Sequence, residues 1–272
     1  VVLSGKDFSD IQMQEIAAAV GFNETAFVLP STIADFQIRY FTPGHENNLC
    51  GHATIGTVFA LLREGKLDKK EFMIETKAGV LPISIYEENH QTFITMQHAA
   101  PQFVPFEGSL KNLAEAIGLQ EQDIDTDYPT LYGSTGIWTL IVPIRDLASF
   151  GKMKPQTATF PSILKEMPKM SIHPVCLDVR DMESTMHGRH FSSPYSGTIE
   201  DAVTGTASGV MGAYYKKYVN PLLSLPATLI VEQGHEIGKD GKVFVHVSGT
   251  AEQLDISISG TAVYVKDIEL VI

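Results

Sequence analysis

The chain has 272 residues, 44% of them hydrophobic and 19% charged, which supplies a sizeable core and argues against disorder. Its formal net charge of −12, with a pI near 5.1, argues against a nucleic-acid or anionic-membrane surface, a local basic patch aside. No stretch approaches the ~18 apolar residues of a membrane span, and no signal-peptide pattern stands at the start. Two cysteines, Cys50 and Cys176, make no disulfide framework and fit a reducing, cytoplasmic compartment.

In chain order, "VVLSG" reads as the tail of a strand. Ser9 and Gln12 fit a capping box for a helix with Ile11, Ile16, Ala17 and Val20 on one face and Gly21 as its stop. "TAFVLP" is a strand, and the alternation of Phe36, Ile38 and Tyr40 in "DFQIRYF" is another. After the loop "TPGHENNLCGH", residues 53–65 are apolar on nearly all sides, which predicts a buried helix. Strands follow in "FMIETKAGVLPISIY" and "TFITMQ", and "REGKLDKKE" is a solvated loop.

The second half repeats this order. "SLKNLAEAIGL" (109–119) matches the first helix, "GIWTLIVP" matches "TAFVLP", and Arg39/Phe41 recur as Arg189/Phe191. "TGTASGVMGAYYKKY" matches "CGHATIGTVFALLRE", and "LIVEQGHEIG" (229–238) matches "MIETKAGVLP". Gly51 precedes Glu75 by 24 residues and Gly205 precedes Glu232 by 27. Five elements in a matched order indicate internal duplication. The fold expected is α+β: two pseudo-symmetric domains, each a mostly antiparallel β-roll around one central helix. The N-terminal domain covers 1–101 and the C-terminal domain 102–261, with a strand at about 262–272 returning to the first. The second half has strand-like sequence ahead of its first helix where the first has only "VVL", so the repeat predicts an opening strand beyond this sequence.

Candidate chemistry gathers at the starts of the two central helices, Cys50-Gly51-His52 and Thr204-Gly205-Thr206, with Glu200 and Asp201 just ahead of the second. Each helix start offers unbonded backbone N–H groups and the positive end of a dipole, and the glycine lets a ligand approach. Two such ends on one cleft would hold a carboxylate. The plainer alternative is that Thr204 or Thr206 is an ordinary N-cap and the small residues serve close packing. His45, His52, His187 and His190 suggest a metal, but Cys50-x-His52 and His187-x-x-His190 lack a second ligand pair at a known spacing. "YGSTG" (132–136) reads as a tight turn that could line the cleft.

"NETAFVL", "CGHATIGT" and "GTIEDAVTGTASG", in this order, resemble the PhzF-like family of phenazine-biosynthesis isomerases, as do "RHFSSPYSG" and "IVEQG". The resemblance implies the diaminopimelate epimerase-like fold, an active site between two similar domains, a homodimer, and no metal or organic cofactor. It assigns the catalytic carboxylate to Glu24, the active-site histidine to His52, and the motif aspartate to Asp201. Thr206 stands where the family carries a serine and Ala202 where a proline often follows the aspartate. In this reading Glu24 is the general acid/base, while His52 and Asp201 position substrate. Gly51, Gly205, Thr204 and Thr206 bind the carboxylate of a small, possibly cyclic amino acid substrate. The related epimerases oppose two cysteines, but the counterpart of Cys50 is Thr204, which is no comparable acid. A one-carbon epimerase or racemase is the enzymatic alternative, and a non-catalytic small-molecule-binding protein the other.

Overall fold

The computed structural model describes residues 1–250 and 252–270. The chain falls into two compact units, one of residues 1–97 with the tail from 259, the other of residues 98–258. The boundary lies at Gln97/His98 because the backbone is recruited there: His98 N–H donates to Ile256 O at 2.9 Å and Ala99 N–H to Thr135 O at 3.1 Å.

In the first unit, α1 (Asp10–Val20) opens on the expected capping box and closes at Gly21 in the left-handed region, φ 67°. Ser9 Oγ accepts from the Gln12 N–H, and the Gln12 side chain accepts the Ser9 N–H at 2.9 Å. The buried face is Met13, Ile16 and Ala17, whereas Ile11 is 71% exposed. Ile11 lies two residues before Met13, about 200° around the helix, so burying Met13 turns Ile11 outward. This face packs with Phe27 and Phe41, whose rings meet edge to face at 5.5 Å. A fully buried phenylalanine of this kind contributes about 1.5–3 kcal/mol.

The remaining elements are β1 (Thr25–Leu29), β2 (Phe36–Phe41), β3 (Glu46–Asn47), α2 (Gly51–Arg63), β4 (Glu71–Thr76), β5 (Gly79–Glu88) and β6 (Gln91–Gln97). The strands lie in the order β1-β2-β4-β5-β6, with β3 on β2, and every pairing except the parallel β2–β4 is antiparallel. Val2 reaches β1 only as an isolated bridge to Phe27. Helix α2 packs on β1 and β6. No strand forms over 261–270: Tyr264 instead lies under the Arg63 guanidinium, 3.4 Å from the ring centre, and Leu270 packs on the α1 cluster. The tail is thus held by side chains instead of a backbone ladder; residues 271 and 272 of the expected strand lie outside the described residues.

The second unit comprises β7 (Gln102–Pro105), α3 (Leu110–Ala116), β8 (Leu131–Ser134), β9 (Trp138–Pro143), α4 (Phe160–Ile163), β10 (Ser171–Cys176), β11 (Met186–Gly188), β12 (His190–Phe191) and β13 (Glu200–Asp201). These are followed by α5 (Gly205–Tyr214), β14 (Ala227–Gln233), β15 (Gly241–Gly249) and β16 (Leu254–Gly260). The order is β16-β15-β14-β11-β10-β9-β8-β7, with β12 beside β10 and β13 beside β12. The β9–β10 and β11–β14 pairs are parallel. "YGSTG" is therefore a correction: Tyr132, Gly133 and Ser134 belong to β8, paired with β7 and β9, and only Thr135 and Gly136 lie in the bend toward β9. Gly133 sits in a strand because Val210 presses on it; a Cβ there would stand 2.3 Å from Val210 Cγ1.

All ten residues of α5 are buried, and the helix touches β8, β9, β14 and β15. Its glycines permit that approach: a Cβ on Gly209 would meet His98 Nδ1 at 2.4 Å, and one on Gly212 would meet Val245 Cγ1 at 2.4 Å. On the other side of the sheet α3 and α4 cover a core of Leu113, Leu140, Phe150, Phe160, Ile172 and Phe191.

Candidate active site

In the first unit Glu24 immediately precedes β1, and the Thr25–Phe41 register fixes where it stands. His52 is the second residue of α2. The two side chains meet: His52 Nε2 lies 3.0 Å from Glu24 Oε2, with the carboxylate 14% exposed and the imidazole 36% exposed. This oxygen is itself buried and accepts no hydrogen bond, so the contact is one of ion-pair distance without hydrogen-bond alignment. Glu24 is therefore not the solvated residue that its position after a helix stop suggests by itself.

The start of α2 is held from below. Thr54 Oγ1 donates to Cys50 O at 2.7 Å and lies 2.6 Å from the Tyr40 hydroxyl. Cys50 occupies the N-cap position, but its thiol does not cap the helix. Its thiol is 3.7 Å from His52 Nδ1. Glu24, Cys50 and His52 each offer a ligand atom within 4.8 Å of the others, so a soft metal ion is a chemically possible guest.

In the second unit Asp201 is placed by β13, where it registers with His190. Thr204 takes the N-cap position of α5, yet it is no ordinary cap. Its hydroxyl donates to Asp201 Oδ2 at 2.6 Å and accepts from Gln233 Nε2 at 3.1 Å, so it is spent away from the helix. Gln233 also donates to Asp201 O at 2.7 Å and accepts the Thr204 N–H at 3.2 Å. Ser208 Oγ donates to Thr204 O at 2.9 Å, the counterpart of Thr54 on Cys50. Gly205 and Thr206 then begin the helix without a cap from the Thr204 side chain. Gln233 is the member of this network that sequence reasoning missed; the signal available was the matched "IVEQG" segment.

The repeated Arg-x-Phe carries a repeated ion pair. Arg39 grips Glu46 through Nε and Nη2 at 2.7 and 2.8 Å, and Arg189 grips Glu200 at 2.8 and 2.6 Å. Each guanidinium also lies over its phenylalanine, 5.2 Å for Phe41 and 4.8 Å for Phe191. Glu200, one of the two acids before α5, is thus a strut for β13, and Asp201 is the one that faces the helix start.

His187 and His190 do not converge as a pair. His190 Nδ1 lies 3.1 Å from His173 Nδ1, while His187 Nδ1 bonds Glu232 at 2.8 Å. Cys176 is a buried core residue, its thiol pushed up to about 12 by burial first and by Asp178 second.

The whole-chain comparisons agree with one another. The family model for phenazine biosynthesis-like proteins (PhzC-PhzF) matches residues 1–267. The uncharacterized isomerase YfhB of Bacillus subtilis is 50% identical over 97% of this chain and 89% of its own length. The trans-2,3-dihydro-3-hydroxyanthranilate isomerase of Pseudomonas chlororaphis is 27% identical over 97% of this chain and 89% of its own. Among solved structures, the PhzF-family phenazine biosynthesis protein of Bacillus anthracis superposes with a TM-score of 0.95 at 55% identity, covering 100% of this chain and 92% of that one. A hydroxyproline epimerase from Agrobacterium vitis shares the fold at 13% identity, with a TM-score of 0.59 over 93% of this chain and 76% of its own. The chain belongs to the PhzC-PhzF family of phenazine biosynthesis-like proteins and is an isomerase of the diaminopimelate epimerase-like fold.

Proposed function

We propose that this isomerase moves a proton between carbons of a small, carboxylate-bearing substrate, with Glu24 as the general acid/base and no cofactor in the step. The observation that carries this reading is the Glu24–His52 contact: a largely buried carboxylate oxygen with no hydrogen bond of its own, 3.0 Å from an imidazole nitrogen. An oxygen not committed to a donor can accept a proton from carbon. The carbon–hydrogen bond breaks, its electron pair delocalises into an adjacent conjugated group, and the Glu24 carboxylic acid returns the proton at another carbon. Protons and electrons balance within the substrate. His52 positions the carboxylate and the substrate.

Asp201 suits a substrate ammonium, and the start of α5 at Gly205 and Thr206 suits a carboxylate, as does Gly51 on α2. Thr204 fixes the Asp201 rotamer. The substrate class follows from the relative that acts on trans-2,3-dihydro-3-hydroxyanthranilate, a cyclic amino acid. A homodimer and a cytoplasmic location complete the reading, the latter supported by two buried cysteines that form no disulfide; among the described residues no helix is long and apolar enough to cross a membrane.

The test is turnover of that dihydroanthranilate and of a panel of cyclic amino acids in deuterium oxide, followed by NMR, for the wild type and Glu24→Gln. Deuterium at a new carbon with loss of turnover in Glu24→Gln is the expected result. Exchange confined to the original carbon with inversion assigns the protein to the epimerases. Turnover unchanged in Glu24→Gln removes Glu24 from the mechanism.

A further inference from the structure

Three residues stand in one row across the strands that carry Asp201. His190 on β12 registers with Asp201 on β13. On its other side β12 pairs with β10, Phe191 against Ile172. Two steps along, the Arg189 N–H donates to Pro174 O at 3.1 Å, so His173 falls opposite His190 between these pairs. Directly opposed residues of antiparallel strands carry their side chains on the same face, about 4.5–5.5 Å apart. The row runs outward, from a fully buried His173 to a half-buried His190 and Asp201. Gly188 makes room at the inner end: a Cβ there would stand 2.9 Å from His173 Nε2.

Hydrogen bonding fixes which nitrogen of each ring carries hydrogen. His173 Nε2 lies 2.8 Å from Met211 Sδ, and a thioether sulfur has no hydrogen to give. The hydrogen is therefore on His173 Nε2. Burial first, then His190 and His187, holds His173 well below the ordinary histidine value, so the ring is neutral and its Nδ1 carries a lone pair. That Nδ1 is 3.1 Å from His190 Nδ1. Two lone pairs do not face each other at hydrogen-bond distance, so His190 Nδ1 donates. The neutral His190 ring then has its one hydrogen on Nδ1, and its Nε2 is an acceptor.

The repeat shows that the scaffold does not demand this residue. The counterpart of His190 in the first unit is Tyr40, between Arg39 and Phe41. Tyr40 is fully buried and its hydroxyl is 2.6 Å from Thr54 Oγ1, under the start of α2. His190 instead stays half-buried in the row with Asp201. We propose that His190 is a substrate-binding residue beside Asp201, with its Nε2 set as an acceptor by His173 and Met211 and taking a hydrogen bond from an O–H or N–H donor of the substrate. This rests on the reading of Asp201 as the partner of the substrate ammonium. A second acceptor beside that carboxylate favours substrates with several donor hydrogens on one side, an ammonium alone or an ammonium with a neighbouring hydroxyl.

The experiment uses the full chain with isotopically labelled histidines, at about pH 8, above the ordinary histidine value of about 6.5. Nitrogen NMR of the wild type should place hydrogen on Nδ1 of His190 and on Nε2 of His173. Calorimetry then uses three saturated probes that cannot isomerise: cyclohexanecarboxylate, the same acid with an amino group on the adjacent carbon, and that amino acid with a hydroxyl on the next carbon. His190→Asn keeps a donor near the place of Nδ1 and loses Nε2, whereas His190→Gln restores an acceptor near Nε2. Folded His190→Asn should weaken amino-probe binding about tenfold and leave cyclohexanecarboxylate unchanged, and His190→Gln should recover most of the loss. A loss confined to the hydroxylated probe assigns the hydroxyl as donor, and an equal loss on both amino probes assigns the ammonium.

Hydrogen on Nε2 of His190 in the wild type overturns the proposal, a result that needs no variant to fold. Unchanged affinities in His190→Asn, or an equal loss for all three probes, overturn it too. If Asp201→Asn weakens the amino probes while His190→Asn does not, this inference alone fails. If Asp201→Asn changes nothing, or the wild type binds no probe, the ammonium reading fails and this inference with it. None of these readouts depends on whether Glu24 moves protons.

Discussion

Removing Glu200 isolates the contribution of the repeated ion pair. Arg189 and Glu200 are 6% and 8% exposed at their side chains, and two charge-assisted hydrogen bonds of 2.8 and 2.6 Å join them. In Glu200→Ala the guanidinium keeps only the Phe150 carbonyl, at 2.7 Å, as a strong partner and becomes an uncompensated buried charge. Loss of one member of such a pair costs about 3–5 kcal/mol. Glu200→Gln retains the shape and one acceptor and should cost about half as much. The sole tryptophan, Trp138, lies on β9 of the second unit, so its fluorescence in urea reports this unit selectively. A domain of this size shifts by about 2–4 °C per kcal/mol, which places the Glu200→Ala melt roughly 10 °C below wild type. Asp10→Ala, which removes a 78%-exposed partner of Arg39, gives a far smaller change. A Glu200→Ala loss below about 1 kcal/mol, the range of an exposed pair, would refute the reasoning.

Three more outcomes rest on the same structure. Burial holds His98 at about 4, below its ordinary 6.5, so between those values the unfolded chain binds more protons than the folded one. Its contribution is fully present above pH 6.5 and declines by about 3 kcal/mol as pH falls toward 4; urea midpoints from pH 8 to 4 should lose that slope in His98→Gln. Gly212→Ala gains about 1 kcal/mol in helix propensity but sets a methyl 2.4 Å from Val245 Cγ1, an overpacking cost of about 1–3 kcal/mol. It should melt below wild type and recover when Val245→Ala is added, and a stabilised single variant would contradict the packing. Thr204→Val removes both the donor to Asp201 and the acceptor of Gln233; it should raise KM more than it lowers kcat, and unchanged kinetics would separate the network from substrate binding.

Local signals were the legible ones. The Ser9/Gln12 capping box and the Gly21 stop formed because their partners sit within four residues. The five-element repeat and the Arg-x-Phe motifs are readable because duplication preserves order, and the structure adds the acids that the arginines grip. Reading failed where a distant neighbour decided the outcome. "YGSTG" has turn chemistry in every residue after Tyr132, yet Gly133 is drawn into β8 because α5 needs the room that a side chain would take. The tail "TAVYVKDIEL" alternates like a strand, but no strand forms over 261–270 and it is held by its side chains.

The sequence by itself determined the family and the two-fold plan and singled out Glu24, His52, Asp201 and Thr206 as candidates, because motif order and hydrophobic periodicity are properties of the chain. The tertiary structure alone decided that Glu24 Oε2 stays without a hydrogen bond beside His52, that Thr204 spends its hydroxyl on Asp201, and that Gln233 closes that network. A residue's chemistry depends on which donors and acceptors reach it through space. Those partners arrive from strands and helices tens of residues away, at positions that only packing fixes.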